Sequence, residues 1–469
     1  MRLALPTALV LWFLWKARGN TLFLLGIPVL MVMRGSVFFD HMKPFWIPGR
    51  LDTTTLLLGW LFLVWAVTIA NERSRPDLQL RPSGGGRVLP EELPLIGITL
   101  LICWHAARAF GSSGDLAEAV SVAFASFSIV LGYVLVRGIA TRASRAETEE
   151  FLAAVVIVNT IAAALFILHQ GLHLPIYEGA ANITYSFAGQ DISRGTTYVP
   201  QFSLLALGFV LAKRTWSAKW LIVLGITMLA VITTYTRTLL IAAVAGLIIA
   251  IVARELSKPE AGRFLRRAGA TVLCVIAALV IFSMVRPVQY RFLLTRFGEV
   301  GSGGGVTQVH NWQLRTARWT VITAVVAKED LVLGLGFPQH ASNAVEPHLV
   351  YWTSDMTWVP ILYRFGYAGL ALFGLLLGGF MWRALALSLK PPEQRRELTL
   401  AYFTTLALTV IMAFQQWTFM EPRIYAMGLW ILALVAAEAL RPAEEPTRGP
   451  ALAETPPPDA TRTTRLMAS

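Results

Sequence analysis

The chain has 469 residues, 55% of them hydrophobic and only 14% charged, with a net charge of +12 and a mean hydropathy of +0.59. Soluble domains carry about 25% charged residues, so an ordinary soluble protein is excluded and a polytopic membrane protein is predicted. The positive charge does not call for nucleic acid. Its basic residues are scattered between apolar runs, where cytoplasmic loops and anionic lipids account for them.

Apolar runs long enough to cross roughly 30 Å of hydrocarbon recur from end to end. Spans are predicted near 20–36, 53–70, 93–110, 118–137, 150–170, 197–213, 218–235, 237–253, 269–286, 356–382, 399–418 and 424–440. The first apolar stretch, 3–15, is short and reads as interfacial or as a further span, so the count is about 12 or 13. It carries no small-residue cleavage site and leads into another apolar run, which argues against a signal peptide. Cys103 and Cys274 both lie inside apolar runs, so no disulfide framework is implied.

Basic clusters fall in alternate loops: Arg73 to Arg87, Arg137 to Arg145, Lys213 to Lys219, Arg254 to Arg267, and Arg383 to Arg396. Under the positive-inside bias these loops are cytoplasmic. The others, 36–52, 171–196, 287–355 and 415–423, then face the exterior. The chain divides accordingly into transmembrane helices over 1–286, an exterior loop domain over 287–355, C-terminal transmembrane helices over 356–440, and a cytoplasmic tail over 441–469. The tail is rich in Pro, Glu and Thr and reads as disordered. No internal repeat is evident.

The 287–355 segment contains "GSGGG" at Gly301 to Gly305 and then "VHNWQLRTARWTVITAVV", where Trp312, Arg315, Trp319 and Ile322 share one helical face. "GLGFPQ", Gly334 to Gln339, reads as a turn. Arg286, Arg291, Arg296, Arg315 and Arg318 gather in this one exterior segment, where topology alone should deplete arginine. Arg194 stands at the mouth of another span, and Arg237 lies between two closely spaced spans. Arginine binds phosphate oxygens bidentately and keeps its charge. An external anion at headgroup depth is therefore a consistent explanation, and a pyrophosphate could engage two or three of these side chains.

Blander readings stand beside that one. Arg286 and Arg423 fit interfacial anchors. Arg315 could stack on Trp319, and Arg237 could meet a carboxylate or a helix C-terminus. Asp355 could serve only as a helix N-cap. His41, His310, His340 and His348 fit no metal spacing, and paired exterior carboxylates are absent from the sequence, so neither metal nor cofactor is predicted.

Three local patterns resemble the O-antigen ligase and O-antigen polymerase superfamily of membrane glycosyltransferases. "SRGTTYVPQFSLLALGFVLA" is similar to the family's Arg/Gly/Thr segment that enters a span through Pro–Asn, with Arg194 in the arginine position and Gln201 where Asn is common. "TYTRTLLIAAVAGLI" resembles its Ser/Thr-rich segment ending in Arg, matched by Arg237. "RTARWTVITAVVAKEDLVLGLGF" looks like its Arg–x–x–x–Trp helix running to a glycine turn, which places Arg315, Trp319, Gly334 and Gly336. The likeness covers roughly residues 185–385. The family's histidine, eleven residues before a Gly–x–x–Gly, is replaced here by Asp355, counted from Gly366.

The resemblance implies an all-α, GT-C-like membrane fold of about 12 helices with one large periplasmic loop containing short helices. It also implies transfer of a glycan from undecaprenyl pyrophosphate to a hydroxyl, on the periplasmic side of a bacterial inner membrane. On that reading Asp355 and Arg194 are catalytic, and Arg194, Arg237, Arg291, Arg296 and Arg315 bind pyrophosphate. Tyr198 and Trp319 are sugar-stacking surfaces or belt aromatics. Partners are a lipid-linked donor, a glycan or lipid A–core acceptor and a chain-length regulator. Polymerase is favoured; ligase is the near alternative, and a flippase for lipid-linked sugars is the alternative of another class.

Overall fold

The computed structural model describes residues 4–32, 53–73, 87–113, 116–172, 183–194, 199–213, 217–235, 237–257, 261–301, 310–336, 358–413 and 422–442. Almost everything in them is helical. In chain order the helices are α1 Ala4–Lys16, α2 Phe23–Val32, α3 Thr53–Arg73, α4 Leu93–Ser113, α5 Leu116–Ala140, α6 Arg145–Leu172, α7 Val199–Ala212 and α8 Ala218–Thr233. They continue as α9 Arg237–Ser257, α10 Ala261–Val285, α11 Pro287–Gly301, α12 His310–Glu329, α13 Trp358–Ser388, α14 Glu393–Ala413 and α15 Pro422–Leu440. Each apolar run expected as a span coincides with one of these helices. Among the described residues, three stretches are long and apolar enough to cross a membrane: Pro90–Gly111, Arg145–His169 and Trp358–Ser388. Shorter apolar stretches include Phe127–Ala140, Ala218–Thr233 and Trp430–Leu440. The chain is accordingly membrane-associated. Leu100, Leu273, Leu375 and Trp382 point outward and are more than half exposed, as suits helices surrounded by lipid.

The all-α expectation needs one amendment. Ile183–Phe187 and Gln190–Arg194 form an antiparallel hairpin, β1–β2, with Phe187 opposite Gln190 and Ile183 opposite Arg194. Ala188 and Gly189 make its two-residue turn at φ 51° and 76°, the left-handed pair that matches strand twist.

α14 is the central helix, packed against α7, α9, α13 and α15. Small residues let it approach its neighbours: a Cβ on Gly208 of α7 would lie 3.3 Å from the Ala401 carbonyl. Such contacts drive helix association where surrounding lipid is as apolar as the core.

One end of the bundle is tied by ion pairs. Arg142 meets Glu72 at 2.6 Å, Arg137 meets Glu92 at 2.7 Å, Arg383 meets Glu91 at 2.5 Å and Arg254 meets Glu393 at 2.5 Å. Lys213 pairs with Glu149 and, at 3.3 Å, with Glu397. Deepest is Glu438, fully buried, held by Arg145 at 2.7 Å, Arg441 at 2.9 Å and Arg395 at 3.3 Å. Four of the five basic loops read as cytoplasmic supply cations to this belt, and in the remaining one the Arg87 carbonyl accepts a hydrogen bond from Arg137. The bundle therefore gathers them at one end.

The opposite end follows from helix direction. α4 starts beside the belt, and His105 lies roughly 18 Å further along at 1.5 Å per residue. α8 starts just after Lys213 and ends at Thr233. There Ile232 joins Tyr235, Ile192 of the hairpin, Phe282 of α10 and Phe292 of α11 in a separate apolar cluster.

Candidate functional site

The helix over "WVPILYRFGYAGLALFG" is broken near its start. Pro360 falls in the first turn of α13, where a missing N–H costs no helical bond. Gly366 then leaves helical geometry at φ 60°, ψ −160°. In an unbroken helix the amides of Tyr367 and Ala368 would donate to the carbonyls of Tyr363 and Arg364. Here all four groups bond to the segment that follows α12. The Tyr367 amide donates to the Leu331 carbonyl at 3.1 Å, and that of Ala368 to Val332 at 3.0 Å. In return, Leu335 N–H donates to the Tyr363 carbonyl and Gly336 N–H to that of Arg364, both at 2.9 Å. A broken helix at membrane depth is tolerated only when its freed groups are satisfied in this way.

Three glycines make the joint possible. Gly334 and Gly336 sit at φ 79° and 81°. A Cβ on Gly334 would come within 2.8 Å of the Arg364 carbonyl oxygen, and one on Gly366 within 2.6 Å of the Gly334 nitrogen. Asp330 prepares the turn: its Oδ1 accepts the amides of Val332 at 3.1 Å and Leu333 at 2.9 Å. Under the joint, Trp319 of α12 packs with Ile322, Val326, Val359 and Leu362 and keeps part of its surface exposed.

α4 holds the joint from the side. His105, 1% exposed, lies 2.8 Å through Nε2 from the Leu333 carbonyl. A carbonyl only accepts, so Nε2 carries the proton. The imidazole packs against Phe365 with ring centroids 5.8 Å apart and planes tilted by 54°, and a Cβ on Gly336 would lie 2.7 Å from its Nδ1. Arg108, one turn on, directs Nη1 to the Gly334 carbonyl at 3.4 Å.

Two groupings of the sequence-predicted residues emerge. Arg194 ends β2, Arg237 opens α9, and Arg291 and Arg296 lie on α11, with Arg291 exposed. Their elements converge on the cluster of Ile192, Ile232, Tyr235, Phe282 and Phe292, with Arg286 in electrostatic reach of Tyr235. Arg315 and Trp319 lie on α12, which leads to the glycine joint. Asp355 and Tyr198 lie outside the described residues.

Sequence reasoning missed His105, Arg108 and Arg364. Each is an ionisable side chain inside a predicted span, which is a functional signal in its own right. No protein-family model matches the chain, and no curated protein matches it.

Proposed function

We propose that the chain is a membrane glycosyltransferase that polymerises glycan repeat units carried on undecaprenyl pyrophosphate, in a bacterial inner membrane of about 12 spans, with its site on the periplasmic side. The observation that supports this best is the joint itself. The Arg–x–x–x–Trp helix, the glycine turn and the glycine of the next span, which carry the family resemblance, form one hydrogen-bonded unit.

The chemistry follows from the donor. A hydroxyl of the acceptor glycan attacks the anomeric carbon as its bond to the pyrophosphate oxygen breaks with inversion. The electron pair leaves on the lipid pyrophosphate, and the hydroxyl proton passes to the Asp355 carboxylate, three residues ahead of Trp358 in sequence. Arg194, with Arg237, Arg291, Arg296 and Arg315, would balance the growing charge on the leaving group without a metal. Tyr198 and Trp319 would offer faces to the sugar.

The test is incubation of the purified protein in nanodiscs with undecaprenyl-pyrophosphate-linked repeat units and no other acceptor. A ladder of longer lipid-linked glycans supports polymerisation. Product only when lipid A–core is added makes the protein a ligase, and no product under either condition overturns the transferase reading.

A further inference from the structure

Among the described residues two that are not glycine hold positive φ, Ala188 at 51° and Tyr235 at 52°. Both lie at one apolar cluster: Ala188 follows Phe187 in the hairpin turn, and Tyr235 follows the end of α8. The hairpin turn asks for a left-handed residue at position 188. Tyr235 is the less ordinary case. α8 ends at Thr233, Thr234 is still helical at φ −74°, and Tyr235 then turns left-handed with its amide donating to the Ile232 carbonyl at 3.1 Å. Glycine or asparagine usually fills that place at a helix end. A bulky residue persists there only where its surroundings hold it.

Those surroundings are rings from separate elements. The Tyr235 ring is 7% exposed, with its centroid 6.1 Å from that of Phe282 on α10 and 6.0 Å, edge-on, from that of Phe292 on α11. Phe292 in turn meets Phe187 of β1 edge-on at 5.5 Å. Aromatic pairs are directional, so they fix where each element sits as well as how much surface it buries. Every element of the cluster leads within four residues to an arginine: Ile192 precedes Arg194, Tyr235 precedes Arg237, Phe282 precedes Arg286, and Phe292 follows Arg291. Arg286 stands one turn after Phe282, its amide bonded to the Phe282 carbonyl at 2.8 Å. Gathering like charges around one core suits an anion with several oxygens.

We propose that Tyr235 is a positioning residue of this site. Its seated ring holds the left-handed turn from which α9 starts at Arg237, and so sets that helix start against the hairpin and α11. The arginine-bearing ends of these elements are thereby held for one pyrophosphate. That anion's identity as the donor's rests on the function proposed above. A helix end needs only glycine at this place. The ring adds a fixed direction for the chain that follows, against a strained backbone, and strain of this kind gathers where a site's geometry matters.

The experiment uses full-length protein in nanodiscs, as wild type, Tyr235→Phe and Tyr235→Gly. It measures melting temperature, binding of undecaprenyl pyrophosphate without glycan, and KM and kcat for ladder formation. Phenylalanine keeps the ring and should bind and transfer like wild type. Glycine takes φ 52° without strain but leaves the ring's place empty. It should melt lower yet stay folded at the assay temperature, with lipid binding weakened and KM raised about ten-fold or more and kcat less affected. A ring that only stabilises the fold would lower the melting temperature and leave the affinity of the folded protein as it was, which overturns the proposal. So does a loss in Tyr235→Phe equal to that in Tyr235→Gly, because the phenol and not the seated ring would then carry the effect. If Tyr235→Gly does not fold, Tyr235→Leu and Phe292→Leu, which keep apolar volume without the edge-on contact, take its place. Weaker lipid binding by either supports the role, and wild-type binding by both overturns it. Absence of lipid binding to wild type overturns the proposal as well. Wild type that binds the lipid but forms no ladder sinks the polymerase reading, and the binding constants of the variants still decide Tyr235.

Discussion

Gly334 and Gly366 face each other backbone to backbone, each occupying the volume where the other's Cβ would sit. Both have positive φ, 79° and 60°. Alanine at either position meets strained backbone and a clash with main-chain atoms that cannot swing aside. Backbone strain of this kind costs on the order of 1–3 kcal/mol, and loss of a neighbouring hydrogen bond adds about 1 kcal/mol. Gly366→Ala and Gly334→Ala should each lower the melting temperature in detergent by several degrees. Gly374→Ala, on the same helix with nothing within 4 Å of its Cβ, is the control and should be neutral. Equal stability of Gly366→Ala and Gly374→Ala would remove the joint's structural role.

The broken helix was not legible in the sequence, although its glycines were. "LYRFGYAGLALFG" has the composition of a continuous span, and the break is stabilised by carbonyls and amides about 30 residues away in the chain. Span positions were legible because a bilayer imposes a length and a polarity on each segment locally. The belt was legible as loop charge, but the carboxylates Glu92, Glu149 and Glu438 that answer it were not, since pairing is tertiary. The hairpin leaves little trace in the sequence because Ala–Gly is a poor turn signal beside Asn–Gly.

His105 should act through the joint. Its Nε2 proton is committed to the Leu333 carbonyl and its ring packs at a tilt against Phe365. His105→Phe preserves ring volume and removes the donor, leaving the half-buried Leu333 carbonyl without this bond at a cost of about 1 kcal/mol or more. His105→Gln retains a donor and should recover part of that. Melting of the two variants in the same nanodisc decides it: if phenylalanine is as stable as histidine, the bond is dispensable.

Glu438 is the keystone of the opposite end. With three arginines around one fully buried carboxylate, its neutralisation strands like charges together. Glu438→Gln should cost about 3–5 kcal/mol, the range for breaking a buried pair, and reduce the yield of monodisperse protein. Arg395→Met should cost less, because Arg145 and Arg441 remain with the carboxylate at shorter distances. The double variant Glu438→Gln/Arg395→Met should be more stable than Glu438→Gln alone, since one unmatched charge leaves with the methionine.

For the proposed transfer, Asp355→Ala and Arg194→Ala are the direct tests. Each should abolish the glycan ladder while leaving membrane insertion and the melting curve unchanged, because their work falls on the reacting bond. Asp355→Asn, which keeps the size but cannot take the hydroxyl proton, should be as inactive as alanine. Normal product from both alanine variants would sink the site assignment.

The hairpin offers the last prediction. Ala188 holds φ 51°, a left-handed conformation that costs an L-residue roughly 1–2 kcal/mol. Gly189 beside it pays no such penalty. The turn sets the register that brings Ile192 inward against Ile232 and Phe292, and a slip by one residue would turn that face to solvent. Ala188→Gly or Ala188→Asn should therefore leave stability equal or slightly raised. Ala188→Val, stiffer and branched at Cβ, should lose roughly 1 kcal/mol or more and increase protease cleavage within 183–194. Since β2 ends at Arg194, the valine variant should also slow glycan transfer with no change at the residue itself. Unaltered cleavage and transfer in Ala188→Val would show that the turn does not set the position of Arg194.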